Sequence, residues 1–339
     1  VSRAGLDPGD DWAIAGGCLY AGLRELTDDP RALDTAGGWI VVQTFEGRLT
    51  CARFATATPL AAGWPDHTPP WTPVTGPWTT SLDEPGYVDA VETVRERIAT
   101  GDVYQVNVCR VLSTDLAEPP DLHALGGALA RGNPAPYAAT VNLPSAGVRV
   151  ASASPELFLQ RDGDRVLSGP IKGTAPTQES LTAKDEAENV MIVDLVRNDL
   201  GRVAVTGSVE VADLLAVEQH PGLVHLVSRI AARLAPGNGW ADLLAAAAPP
   251  GSVTGAPKSS ALRAIAELEP VPRGAYCGAI GWVDADTQQG ALAVAIRTFE
   301  WADGRLHLGT GAGITWGSDA QREWEETELK VRRLIEVVT

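Results

Sequence analysis

Hydrophobic periodicity changes along this 339-residue chain, and the changes divide it into strands, helices and one long irregular stretch. Apolar runs at Trp39 to Gln43 and Leu49 to Phe54 flank Glu46-Gly47, which predicts a hairpin. From Pro59 to Pro85 the chain carries seven prolines together with Trp64, Trp71 and Trp78. Proline at that density fits neither a helix nor a central strand, so this stretch is a connection. Tyr87, Val91, Val94 and Ile98 then share one face of a helix that stops at Gly101. Residues 101–110 read as a strand, and Glu156 to Ile171 as two strands around Asp162-Gly163. A long helix is expected from about Thr182 to Leu200, closed by Gly201, with its apolar stretch Val190 to Val196 buried. Tyr276 to Trp316 reads as a strand meander with turns at Asp284–Gly290 and Ala302–Gly304. The last helix opens at Ser318, with Gln321 three residues on as a capping box, and Val331, Leu334, Ile335 and Val338 form its core stripe. Strands mixed with helices, without strict βαβα alternation, predict an α+β fold.

Composition narrows the partners. A formal charge of −16 disfavours nucleic acid, whose phosphates are held by Lys and Arg. A small anion stays open, because it needs only a local cluster of cations or a metal. Cys18, Cys51, Cys109 and Cys277 are scattered without a Cys-x-x-Cys pair, which predicts reduced thiols in a cytoplasmic protein. No basic leader and no 18-residue apolar run is present, so neither secretion nor a membrane is expected. The chain begins with Val1 rather than Met, and its start carries little weight.

Two glycine-rich stretches lack the spacing of known phosphate loops. In Gly251 to Ser259 the lysine comes three residues after the second glycine, and Gly309-Thr-Gly311-Ala-Gly313 leads into strand-like residues. Both read as backbone turns able to line a pocket. Glu323, Glu326 and Lys330 share a helix face, and Asp185 and Glu188 repeat the i, i+3 spacing on the earlier helix. Two such helices could clamp a hard divalent cation. By pattern alone the terminal set is a solvated face with an ordinary Glu326–Lys330 pair, whereas Glu188 directly precedes an apolar turn. Lys172, in Pro170-Ile-Lys-Gly-Thr174, is either a surface lysine or a desolvated nucleophile. Glu156 is an ordinary carboxylate, and His225 by itself reads as structural.

Taken together, these segments resemble a family. Ser154-Pro-Glu156, Pro170 to Thr174, Glu188 to Asp199, His225-Leu-Val-Ser228, Gly255-Ala-Pro-Lys258, Arg273-Gly-Ala-Tyr276, Ile296-Arg297, Gly311-Ala-Gly313 and Glu325-Glu-Thr327 occur in order. They are similar to the chorismate-utilising enzymes: anthranilate synthase large subunit, aminodeoxychorismate synthase component I, isochorismate synthase and salicylate synthase. The resemblance covers roughly residues 85 to 337. It implies magnesium held by Glu188, Glu326 and Glu323, gripping the ring carboxylate of chorismate. It further implies Tyr276, Arg297 and the Gly311, Ala312 and Gly313 backbone at the enolpyruvyl carboxylate, with Lys330 near the metal end. His225 would face the ring, and Thr174 would orient the substrate. A dianion needs such cations, because its desolvation is otherwise prohibitive.

Lys172 within Pro-Ile-Lys-Gly-Thr resembles the mark of aminodeoxychorismate synthase, whereas Gln105 stands where water-activating relatives carry a lysine base. The implied reaction is amination of chorismate to 4-amino-4-deoxychorismate, as in p-aminobenzoate and folate synthesis, with Lys172 as nucleophile and Glu156 as general acid. No glutaminase elbow is visible, so ammonia comes from solution or from a separate glutamine amidotransferase subunit. Anthranilate synthase and aminodeoxyisochorismate synthase are the alternatives, and a non-catalytic relative binding an aromatic metabolite is the alternative of another class. The resemblance implies one interlaced domain over 1–339, with face-to-face antiparallel sheets and outer helices. In it, 1–84 is the variable part, ending in a Pro/Trp-rich surface excursion, and 85–337 the core. The stretch before residue 85 is short for the family, whose longer members can carry an inhibitory tryptophan site there.

Overall fold

The computed structural model describes residues 6–339 apart from 62, 66, 176, 221 and 222, and apart from the side chains of Thr174, Ala183, His220 and Leu223. Among the described residues the strands join in one 18-stranded antiparallel sheet. From Glu210–His220 the pairing passes through Leu223–Arg233, Arg165–Gly169, Leu157–Asp162, Gln289–Val294, Ala279–Asp284, Gly38–Gln43, Leu49–Pro59 and Cys18–Thr27. It continues through Trp12–Ala15, Tyr137–Leu143, Val148–Ser154, Thr298–Ala302 and Arg305–Ile314 to Gln105–Asp115. The hairpin around Glu46-Gly47 is therefore present. The stretch expected as one meander splits into two hairpins, Ala279–Asp284 with Gln289–Val294 and Thr298–Ala302 with Arg305–Ile314, because Gln289–Val294 pairs onward with Leu157–Asp162 and Thr298–Ala302 with Val148–Ser154. The N-terminal strands pair with strands far along the chain. The ribbon curls so that Ala13, Tyr20, Val141 and Val150 meet Ile40, Val42, Ile280 and Ala293 in one apolar layer.

Six α-helices lie among the described residues: α1 (Glu84–Ala99), α2 (Leu122–Gly132), α3 (Ala183–Gly201), α4 (Trp240–Ala247), α5 (Lys258–Leu268) and α6 (Ala320–Val338). Helices α3 and α4 bury Ile192, Val193, Val196, Trp240 and Leu243 against Val166, Ile230 and Leu292. Helices α2 and α6 cover Phe299, Leu306 and Leu308, and α1 and α5 close over Val106 and Val108. The Pro/Trp stretch lies across this surface: the Trp71 indole N–H donates to Val338 O (2.9 Å), and Val74 N to the same oxygen (2.8 Å).

Several local expectations are corrected. Pro85 opens α1 rather than belonging to the connection, since its missing N–H is harmless in a first turn. The strand expected over 101–110 begins only at Gln105, after a turn. Helix α3 includes Gly201 and ends on Arg202 in right-handed geometry, so no glycine stop operates. Val190 is 42% exposed, because α3 is covered on one side only. Asp319, not Ser318, caps α6 through Arg322 N, while the Ser318 hydroxyl accepts from Thr315 N. Gly309 to Gly313 is no turn. It lies inside a strand, where side chains would collide with neighbours: a Cβ on Gly309 would stand 2.1 Å from the Tyr276 ring, and one on Gly311 2.5 Å from Cys109 Sγ.

Candidate active site

Helices α3 and α6 meet near their first turns, and this brings together acids that the sequence separates by more than a hundred residues. The Lys184 ammonium bonds Glu323 at 2.9 Å and stands 3.6 Å from Glu188. Glu326 pairs with Lys330 at 2.6 Å, and Lys330 also donates to Gly311 O at 2.9 Å. Helix α3 is pinned there by Asn189, which donates to Leu226 O (3.0 Å) and accepts from the Ser228 hydroxyl (2.5 Å). These bonds fix Glu188 one residue away, beside the strand that carries His225. Asp185 is not part of the cluster. Its carboxylate accepts from Thr182 N and Oγ1, completing the cap of its own helix.

Opposite the acids lies Lys172, on the strand Ile171–Ala175. Its Nζ stands 3.5 Å from the point a Cβ on Gly313 would occupy, with the Gln105 amide nitrogen 2.3 Å from that same point. The glycine thus makes room for the Gln105 amide, with the Lys172 amine just beyond it. Among the described residues Lys172 has no hydrogen bond or ion pair, yet Glu156, Glu188 and Glu326 all feel its charge. Burial pushes the Glu188 carboxyl up, against the pull of Lys172 and Lys184. Burial acts on Glu326 in the same direction, but Lys330, Lys184 and Lys172 outweigh it and hold that carboxyl below its ordinary range.

Glu156 is 4% exposed, and its Oε1 has no partner. Burial raises its carboxyl to about 7, against the Ser252 hydroxyl, Lys172, the Ile171 N–H and Lys330. Its backbone is locked by Ser154, which bridges Glu156 N (3.2 Å) to Val294 O (2.6 Å). Arg297 follows on the neighbouring segment, its carbonyl accepting from Ala153 N. It is half-buried, adopts the left-handed φ of 52°, and has no side-chain partner among the described residues. Burial lowers its pKa. Tyr276 is buried beneath Gly309, and burial pushes its phenol well above the ordinary value. His225 is 2% exposed, paired in register with Thr174 on one side and Glu218 on the other. The Thr174 side chain lies outside the described residues.

The fold therefore sets carboxylates, bridged by lysines, near unpaired or half-satisfied cations beside a glycine-bared strand. The fold and this site carry a resemblance, which comparison with known proteins tests. The sequence pattern of chorismate binding enzymes matches residues 38–336. The chain belongs to the chorismate binding enzyme family. Within the family it is 42% identical over 294 residues to anthranilate synthase component 1 of Streptomyces coelicolor, covering 83% of this chain and 55% of that protein. It is 39% identical over 299 residues to aminodeoxychorismate synthase component 1 of Salmonella typhimurium, covering 85% and 62%. The chain thus spans a little over half the length of these curated relatives. The solved menaquinone-specific isochorismate synthase of Escherichia coli shares the fold, with a TM-score of 0.80, 20% identity, and coverage of 98% of this chain and 90% of that one.

Some of the site escapes sequence reasoning. Lys184 was legible as the i, i+4 partner of Glu188, but not as the bridge to Glu323. Ser252 carries no signal until the fold sets it against Glu156. A cavity of about 820 Å³ opens elsewhere, between α4, α5 and the Thr44–Gly47 turn, and none of the predicted site residues lines it. Volume alone points away from the carboxylate–lysine cluster. Among the described residues no helix is long and apolar enough to cross a membrane.

Proposed function

We propose that this protein aminates chorismate with ammonia to give 4-amino-4-deoxychorismate. The observation that carries the reading is the unpaired, half-buried Lys172 amine, held in the field of Glu156, Glu188 and Glu326. An amine that no protein carboxylate claims is available to attack a ligand. Chorismate carries two carboxylates, and the site offers a cation for each end. Arg297 and the glycine strand would take the enolpyruvyl carboxylate, and the acid–lysine cluster the ring carboxylate. Tyr276 and Thr174 would position the substrate between them, with His225 facing the ring.

Lys172 adds at C2, the C1–C2 double bond moves to C1–C6, the C5–C6 double bond moves to C4–C5, and the C4–O bond breaks. Glu156 gives its proton to the departing hydroxyl, which leaves as water. Ammonia then forms the C4–N bond, the C2–N bond to Lys172 breaks, and the lysine leaves as the free amine once the surplus proton is lost. The net change is chorismate plus ammonia to aminodeoxychorismate plus water.

Magnesium enters this reading as a hypothesis that the donor set supports. Glu188, Glu323 and Glu326 are hard oxygen donors, and a cation already bridges two of them in the form of Lys184. Among the described residues no three acid, histidine or cysteine side chains converge as they stand, so Lys184 and Lys330 must give way. The Lys184 side chain is 42% exposed and free to do so. A magnesium ion held there would neutralise the ring carboxylate and act as a Lewis acid.

Ammonia would come from a glutamine amidotransferase subunit. The name component 1 on both curated relatives supports a two-component system. An anthranilate synthase is the second reading, favoured by the 42% identity to one. Lys172→Ala separates the two when products from chorismate, ammonium and magnesium are resolved by chromatography. Loss of aminodeoxychorismate, or a switch to C2-aminated product, is expected. Undiminished aminodeoxychorismate would end the covalent route.

A further inference from the structure

Two motif residues have no place in the chemistry above: Asp199, which closes the run from Glu188, and Lys258, which follows Gly255-Ala-Pro. They stand together, with Lys258 Nζ 2.6 Å from Asp199 Oδ2 and 2.9 Å from Ala247 O. Between this pair and Glu156 lies a cavity of about 10 Å³. Its polar lining is Glu156, Ser168, Asp199 and Ser252, and Val196 and Leu200 are among its apolar walls. That volume is about one water, and such a site is wet only where a water finds two to four polar partners. The four polar side chains supply them, and the unpartnered Glu156 Oε1 is the group most in need of one. The Ser252 hydroxyl already holds the carboxyl of Glu156. The side chains of Asp199 and Lys258 are 8% and 18% exposed, so the pair keeps some contact with solvent.

The reaction, on the reading given above, can use such a path. Glu156 surrenders one proton per turnover to a hydroxyl that departs as water. On the substrate side it faces Lys172 and Lys330, and bound substrate covers that approach. We infer that one water in this cavity returns the proton to Glu156 from Asp199, with Ser252 aligning the acceptor and Lys258 stabilising the charge left behind. In the balanced step, protonated Asp199 gives its proton to the water, and the water passes one to the Glu156 carboxylate. Asp199 becomes an anion paired with Lys258 and is reprotonated from solvent. Burial raises the Asp199 carboxyl against the pull of Lys258 and Arg202, which suits a group that gives and regains protons. Asp199, Ser252 and Lys258 are thus positioning and relay residues that do not touch substrate.

The test has two arms. In Asp199→Asn and Ser252→Ala, kcat should fall about 10- to 100-fold with KM nearly unchanged, and the solvent deuterium isotope effect on kcat should rise. Ser252→Thr, which keeps the hydroxyl, should restore both. A fall in kcat with an unaltered isotope effect would mean a merely structural role and overturn the relay, as would full activity in both variants. Where Asp199→Asn loses its melting transition, Ser252→Ala decides alone, because it leaves the Asp199–Lys258 pair intact. The second arm needs no turnover: a high-resolution crystal structure of the wild type should show a water touching Glu156 and at least one of Ser252 and Asp199. A dry cavity overturns the relay whatever the reaction. An inactive wild type with a wet cavity would instead count against the amination reading.

Discussion

Two arginines taken out of water in this fold are treated in opposite ways. Arg273, 4% exposed, has every guanidinium nitrogen engaged: it bonds Glu269 twice (2.8 and 2.5 Å), Val253 O and Asn107 O (both 2.8 Å). Its guanidinium also stacks over Phe45 at 4.1 Å. Arg297 is half-buried on a left-handed backbone with no side-chain partner among the described residues. A desolvated cation without a partner is costly, and so is a non-glycine residue with positive φ. Evolution tolerates that combination where a ligand completes the pair. Saturation by the protein marks architecture, and incompleteness marks the site.

The sharpest way to break this contrast is to truncate Arg273. Arg273→Ala strands the buried Glu269 carboxylate and should cost about 3–5 kcal/mol of stability, visible in chemical denaturation. A cost below about 1 kcal/mol would mean that saturation does not report on architecture here.

Glu156 gives the next largest effect, through pH. Burial raises its carboxyl from the ordinary 4.5 to about 7 in the folded state. A raised folded value means the associated stability is complete below the unfolded value and is lost as pH climbs from 4.5 through about 7. The loss approaches roughly 3 kcal/mol. Glu156→Gln cannot ionise, so it should be more stable than the parent at pH 8 by up to that amount, and no more stable at pH 4. Equal differences at both pH values would show that Glu156 is ionised normally. The same variant should lose about 10²- to 10⁴-fold in kcat, and parental kcat should fall as pH rises through about 7, as the acid form is depleted.

Arg297→Ala should reverse the pattern of Arg273→Ala. Nothing in the protein loses a partner, so the melting temperature should stay level or rise. Substrate affinity should fall by about 2 kcal/mol, read as KM or by calorimetry with a non-turning-over analogue. A large drop in stability would show that Arg297 is structural after all.

How much of this was legible beforehand follows from the same contrast. The Glu46-Gly47 hairpin, the individual strands after Ala279 and the helices around Tyr87 and Val331 were readable, because one-sided burial writes a period into the sequence, whereas the order in which those strands pair was not. Gly309 to Gly313 misled as a turn, since a glycine required by close approach looks the same as one required by conformation. Lys172, Glu156 and Arg297 were singled out through resemblance, not pattern, for what distinguishes them is a polar group left without a full set of partners. Absence becomes visible only once every neighbour has been placed. Asp185 misled in the opposite direction, sharing helical spacing with Glu188 while already satisfied by Thr182.

That last pair supports the smallest and cleanest prediction. Asp185 and Glu188 stand three residues apart on α3, and spacing alone makes them equivalent. The capping bonds of Asp185 tie its Oδ2 to Thr182, whereas Glu188 faces Lys184 at 3.6 Å and gains no hydrogen bond from it. Asp185→Ala should therefore cost about 1 kcal/mol of stability, the worth of a helix cap, and leave magnesium affinity in calorimetric titration unchanged. Glu188→Gln should do the reverse, abolishing magnesium binding while stability holds or rises, because its carboxyl is already pushed up by burial. Equal loss of magnesium affinity in both variants would mean that the cap opens to bind metal, and that a saturated carboxylate is no guide to function on this helix.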